Sequence, residues 1–221
     1  MTLSISGTAT PGSATGTTAA TSTLTPAANS LLVVACWQDN GVDTDTFTLT
    51  DGAGTLTFTK ALDWKGRLTF YTAPVTVSAS HTLSLNTSHS GGGIKQIMPI
   101  VVTDSGGGIP TTTTPSPAGI TDGGPGNTGI TLVSTGTGSL NLLMAFTNAN
   151  PGTVSGETKL TSAVYGGEWS CLYYKTTAST SSGQSITTNA SAGCWDAAGI
   201  ELKVPAGVTG QKSGGFFAAI G

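Results

Sequence analysis

Two histidines, three cysteines, eleven acids and four tryptophans are the residues through which this chain could make bonds, hold a metal or grip a ligand. His81 and His89 flank the stretch 82–87. A general base needs an orienting acid and a reachable proton. Neither histidine has an acid nearby in sequence or a counterpart in the other half, so both are expected as exposed turn residues. No Gly-x-Ser-x-Gly elbow, Walker loop or His-Glu-x-x-His motif occurs. Cys-x-x-Cys pairs are absent too, which removes the usual zinc spacing. The three cysteines, Cys36, Cys171 and Cys194, leave two readings. A bridge could join Cys171 to Cys194, both in the second half, or all three could be small buried hydrophobes, which is the favoured reading. Asp39, Asp43 and Asp45 share one loop and offer the oxygen ligands that calcium prefers. They lack the spacing of an EF-hand, so a solvated loop is expected, with no metal and no cofactor. Glycoside hydrolysis needs two acids facing one cleft, and the acids here sit mostly in turns. Catalysis is therefore not expected.

The tryptophans are better candidates for a functional role. Exposed aromatic rings can stack on sugars, while large aromatics at strand ends commonly close a core. Trp37 ends an apolar run and Trp195 lies beside the last one, so both are expected to close a core. Trp64 and Trp169 occupy nearly matching places before similar segments, next to Gly66 and to Gly166-Gly167. These two are expected in loops and are the candidate ligand-binding residues.

The elements that must position these residues follow from composition. Only 9% of the residues are charged, against about 25% in an ordinary soluble domain, and 32 are glycine. Helical proteins need Ala, Leu, Glu and Lys, whereas Thr, Val, Ile and aromatics favour strands. A net charge of -3 lacks the basic footprint that a phosphate backbone requires, so nucleic acid is not an expected partner. The apolar runs 31–37 and 216–220 fall far short of the roughly 20 residues of a membrane-spanning helix. The opening residues lack the charged and apolar regions of a secretory signal, and a soluble product with no membrane association is expected.

Alternation of period two marks the strands. Phe47 and Leu49 alternate with Thr, a turn follows at Asp51-Gly52-Ala53-Gly54, and Leu56 and Phe58 resume the pattern, which predicts a hairpin. The run 31–37 is apolar throughout and predicts a central strand packed on both faces, about 23 Å long. Laid on itself, the chain repeats. Residues 30–37 are answered by 139–146, an offset of 109, and 64–72 by 168–176 with Leu68 matching Leu172. Residues 82–87 pair with 184–189, and each half closes on an apolar strand, 97–102 and 198–204.

The expected fold is all-β: two tandem, internally duplicated antiparallel β-sandwich domains, jelly-roll or Ig-like, each around its own interior. The first spans 1–104 and the second 119–204. Residues 105–118, rich in Gly, Pro and Thr, form a linker or extended crossover. Residues 205–221 extend the chain as an apolar-ended tail whose Phe216, Phe217 and Ile220 are candidate assembly contacts. That tail either adds an edge strand locally or docks on a neighbouring subunit by strand addition.

The pattern Leu24-Thr25-Pro26-Ala27-Ala28-Asn29-Ser30-Leu31-Leu32-Val33-Val34, the strand Phe70-Tyr71-Thr72-Ala73-Pro74, the segment Cys194-Trp195-Asp196-Ala197-Ala198-Gly199-Ile200-Glu201-Leu202 and the run Lys212-Ser213-Gly214-Gly215-Phe216-Phe217 together resemble a group of tailed-phage and prophage structural proteins. The resemblance covers most of the chain as scattered strand motifs and carries no catalytic signature. It implies a virion component, either a capsid decoration (cement) protein or part of a tail fibre or spike, localised to the particle and bound to other virion proteins. By analogy with such proteins a homo-oligomer, a trimer, is expected. The alternative is a carbohydrate-binding attachment module that recognises host surface glycans.

Overall fold

The computed structural model describes residues 2–16, 18–39, 45–88, 93–113, 119–121, 131–133, 139–147, 157–165, 168–175, 185–187 and 194–205. All regular structure among them is β, and no helix occurs there. In the first half lie β1 (Leu3–Thr8), β2 (Gly12–Thr15), β3 (Ala20–Leu24), β4 (Ser30–Gln38), β5 (Phe47–Asp51), β6 (Thr59–Trp64), β7 (Leu68–Val75), β8 (His81–Thr87) and β9 (Ile94–Asp104). The second half holds β10 (Thr111–Thr113), β11 (Gly119–Thr121), β12 (Thr131–Val133), β13 (Leu140–Thr147), β14 (Glu157–Tyr165), β15 (Glu168–Lys175), β16 (Ser185–Thr187) and β17 (Cys194–Lys203).

Every pairing is antiparallel and stays within its own half. The first half forms a large sheet of order β1-β9-β4-β7-β6, with β2 continuing the β1 edge along β9, and a small sheet β3-β8-β5. The second half forms a large sheet of order β10-β17-β13-β15-β14, with β11 continuing the β10 edge along β17, and a small sheet β12-β16. Strand for strand, the second large sheet follows the order of the first.

Side-chain alternation then decides the packing. Along β4, Leu32, Val34 and Cys36 point at the small sheet and meet Phe47, Leu49, Leu83 and Leu85 in the core of the first sandwich. The other set, Leu31, Val33, Ala35 and Trp37, points the opposite way. In the second half Leu143 and Ala145 of β13 join Cys171, Tyr173 and Ala197 in a core of their own. Their neighbours Leu142 and Met144 face the first half, with Leu172, Ala198, Ile200 and Leu202.

The two large sheets thus stack face to face, and their facing residues form one apolar seam that belongs to both halves. Each of β4 and β13 is packed on both faces, as the apolar run 31–37 predicts for β4. The expectation of two separate interiors is corrected here. Each half keeps its own core, but a third core joins them, because both faces of each large sheet are greasy and one face has no small sheet to cover it.

Two further expectations differ from the structure. Thr111–Thr113, inside the stretch read as linker, is an edge strand on β17. The hairpin expected around Asp51 is an arch between sheets, since β5 pairs with β8 and β6 with β7. The turn itself forms: Gly54 takes φ 67° and its N–H donates to the Asp51 carbonyl at 3.0 Å. The Asp51 carboxylate also accepts from the backbone N–H of Ala53 (3.1 Å), Thr55 (3.1 Å) and Leu56 (3.3 Å). With the amides of Thr55 and Leu56 satisfied by a side chain, the chain leaves β5 without a strand partner there, and Leu56 and Phe58 pack against the core of the first sandwich.

Candidate functional site

Trp64 stands at the end of β6, before a two-residue turn in which Lys65 (φ 51°) and Gly66 (φ 61°) are both left-handed and the Arg67 N–H donates to the Trp64 carbonyl at 3.0 Å. Its indole is half-buried against the seam, with Nε1 enclosed. Trp169 lies in β15, half-buried against the core of the second sandwich, with Lys159 Nζ 5.9 Å from its ring centre. Both residues expected in loops are therefore strand residues, and they sit on opposite faces of their sheets. Trp37 is fully enclosed in the seam.

His81 departs furthest from its expected place. Only 2% of it is accessible, and its Nδ1 lies 3.0 Å from Asp51 Oδ2, whose side chain is also buried. His81 opens β8 in phase with the inward Leu83 and Leu85, a register that the sequence displays. The acid comes from 30 residues away in the chain, which local spacing does not display. Burial acts on Asp51 to raise its pKa. The amides of Ala53, Thr55 and Leu56 and the His81 ring outweigh it and hold the carboxyl below its usual range. Nε2 of His81 is enclosed without a hydrogen-bond partner. The pair ties the turn after β5 to the start of β8. Among the described residues no hydroxyl or thiol is hydrogen-bonded to the imidazole.

Asp196, Asp63, Glu201 and Asp45 are similarly engaged. Asp196, 3% exposed, meets Arg67 at 3.3 Å across the seam, and Asp63 pairs with Lys60 at 2.6 Å. Glu201 accepts from Thr113 at 3.0 Å and lies 3.6 Å from Lys203. Asp45 of the candidate calcium loop accepts from Gln38 Nε2 and from Ser88 Oγ, each at 3.3 Å. Asp39 holds β9 through its backbone N–H, 2.8 Å from the Ile94 carbonyl. Among the described residues no three metal-ligating side chains gather. Asp104 is buried at the end of β9, its carboxylate without a hydrogen-bond partner.

Cys36 and Cys171 are free, buried thiols, so Cys171 makes no bridge to Cys194. Burial pushes both thiols up, which keeps them protonated and unreactive. Asp43, His89 and the assembly candidates Phe216, Phe217 and Ile220 lie outside the described residues.

Two surface depressions share Pro74 in their walls and lie on opposite faces of the first large sheet. One, of about 370 Å³, is walled by Leu31, Thr59, Thr72 and residues 109–112. The other, of about 260 Å³, lies between Thr55, Leu56 and the 76–79 loop, with His81 in its wall. Polar groups in both are mainly threonine hydroxyls.

No family model, curated protein or solved structure matches the chain.

Proposed function

We propose that this chain is a non-enzymatic structural component of the exterior of a tailed-phage particle, a capsid decoration or tail-associated protein that docks to neighbouring subunits as part of a homo-oligomer. The observation that carries the reading is the seam, which joins two sandwiches into one block along the full face of both large sheets. A shell component needs that kind of cohesion. The engagement of four acids supports the same reading, since Asp51, Asp63, Asp196 and Glu201 fasten strands and turns to one another.

The sheet edges add support. An open edge is a template for unwanted strand pairing. Edge strand β6 is bulged at Ala61 and carries Lys60, and edge strand β14 is bulged at Leu160 and carries Lys159. On the opposite edge, Pro11 separates β1 from β2. A particle protein crowded against many copies of itself benefits from edges that refuse one another.

The glycan-binding alternative has less support, since Trp64 and Trp169, half-buried on opposite sheet faces, do not form one shared platform. Mass spectrometry and immunogold electron microscopy of particles purified from the organism that encodes the chain test the proposal. Many copies per particle on the outer surface are expected. Particles devoid of the chain would reject it.

A further inference from the structure

The register of the two large sheets can be matched at their bulges. Edge strand β6 is bulged at Ala61, just after Lys60, whose partner on β7 is Tyr71. Edge strand β14 is bulged at Leu160, just after Lys159, whose partner on β15 is Tyr173. Tyr71 lies opposite Val34 on β4, and Tyr173 lies opposite Leu143 on β13. Val34 and Leu143 both face away from the seam, and the next residues, Ala35 and Met144, both face into it. This register matches Phe70 with Leu172, two residues along from the match of Leu68 with Leu172 in the sequence. Across the seam, β17 lies over β6 and β7, whereas β14 lies over β9 and β2. Since β17 corresponds to β9 and β14 to β6, the contact of β17 with β6 and that of β14 with β9 are one contact made twice. The strand ends coincide as well. At one end Gln96 meets Ser170 and Arg67 meets Asp196. At the other, Leu31 and Thr72 share a depression with Thr111 and Thr112, the partners of Lys203 and Leu202.

We propose that the seam is an isologous interface, in which two equivalent sandwiches dock through the same surface about a two-fold axis running along β4 and β13, midway between the sheets. A two-fold axis along the strands reverses the lateral order of the second sheet and keeps its strand direction, which is the arrangement found. An axis across the strands would instead set β17 over β9. Interfaces of this kind join identical subunits. The partner that the seam face fits is therefore a second copy of the same sandwich, and this chain supplies it as its own second half. Equivalent residues of the two central strands then meet at the axis, Val33 against Leu142 and Ala35 against Met144. The sizes are complementary. Beside Ala35 on β9 stands Met98, and beside Met144 on β17 stands Ala198. A small residue in one half thus answers a large one in the other. Pairing the first half with the second fills the seam, where two identical faces would leave a gap at Ala35 or crowd at Met144. The inference goes beyond the particle reading and does not rest on it.

A change of sign in the full chain tests the axis. Ala35→Met is expected to lower the urea midpoint by about 0.5–1 M, because it sets a methionine against Met144. Met144→Ala is expected to lower it by about 1 M or more, because it opens a cavity. In the Met144→Ala background, Ala35→Met exchanges the two residues across the axis and is expected to raise the midpoint. A lowered or unchanged midpoint there would overturn the proposal, since substitutions at sites that do not meet simply add. Should Met144→Ala fail to fold, Val33→Leu and Leu142→Val make the same test with a smaller change of volume. Val33→Leu is then expected to raise the midpoint of the Leu142→Val chain, and any other result would overturn the proposal. Neither experiment bears on whether the chain is present in particles, so the two readings fail separately.

Discussion

Leu142 and Leu143 are adjacent on β13, both fully buried, and they belong to different cores. Leu142 faces the seam and the other half of the molecule, whereas Leu143 faces the small sheet of its own half. One residue step along a strand changes which part of the protein a side chain holds together. The seam is the region where damage to one half should be felt in the other, and the flanking cores are where it should stay local.

The most damaging test of that contrast is Trp37→Ala, which empties the largest fully buried side chain of the seam. A loss of about 3–5 kcal/mol is expected in chemical denaturation. Amide exchange should accelerate in β7 and in β15 alike, and protection preserved throughout the second half would break the comparison. Leu143→Ala sharpens it from the other side. The expected cost is about 2–5 kcal/mol, with the loss of protection concentrated in β13, β15 and β17 and the small sheet of the first half unaffected.

Arg67→Met removes the cation facing Asp196 across the seam. The expected cost is about 1–3 kcal/mol, since the guanidinium hydrogen bond goes to a buried carboxylate. The polar contact from Ser170 Oγ to Gln96 Oε1 also crosses the seam. A double-mutant cycle with Ser170→Ala measures the coupling between the two contacts, since Ser170 and Asp196 flank Phe146 of β13 on its two sides.

Asp51 yields an acid-limb prediction. Its folded pKa lies below the value of about 3.9 for an unconstrained aspartate. Between those two values the unfolded chain binds the extra proton, so the stabilisation is fully present above about pH 4 and is lost as pH falls through the folded value. Asp51→Asn should flatten this limb in acid titrations of stability, and an unchanged acid limb would show that other carboxylates dominate it. The smallest expected effect is chemical: Cys36 and Cys171 should not react with a thiol reagent in the native protein and should do so on unfolding. Rapid labelling of either in the folded state would contradict its enclosure on the two sides of the seam.

Much of this architecture was legible in the residues. Period-two alternation marked the strands, and the unbroken apolar run 31–37 marked β4 as central. Local pattern could not say what lay beyond the second face of that central strand. The arch at Asp51 eluded it for a related reason: Asp51-Gly52-Ala53-Gly54 is a good turn whether the next strand pairs with the last or leaves for another sheet. His81 was misplaced because its partner acid lies 30 residues away and only the β5–β8 pairing brings it near.

Taken alone, then, the sequence determined the kind of structure, the strands and their facing, because those depend on propensity and on neighbours two residues apart. Tertiary structure alone decided that the halves share a core, that Asp51 meets His81, that Arg67 meets Asp196, and that Trp64 and Trp169 turn away from each other. Each of those depends on contacts between residues far apart in the chain, where burial of a whole face outweighs any local preference.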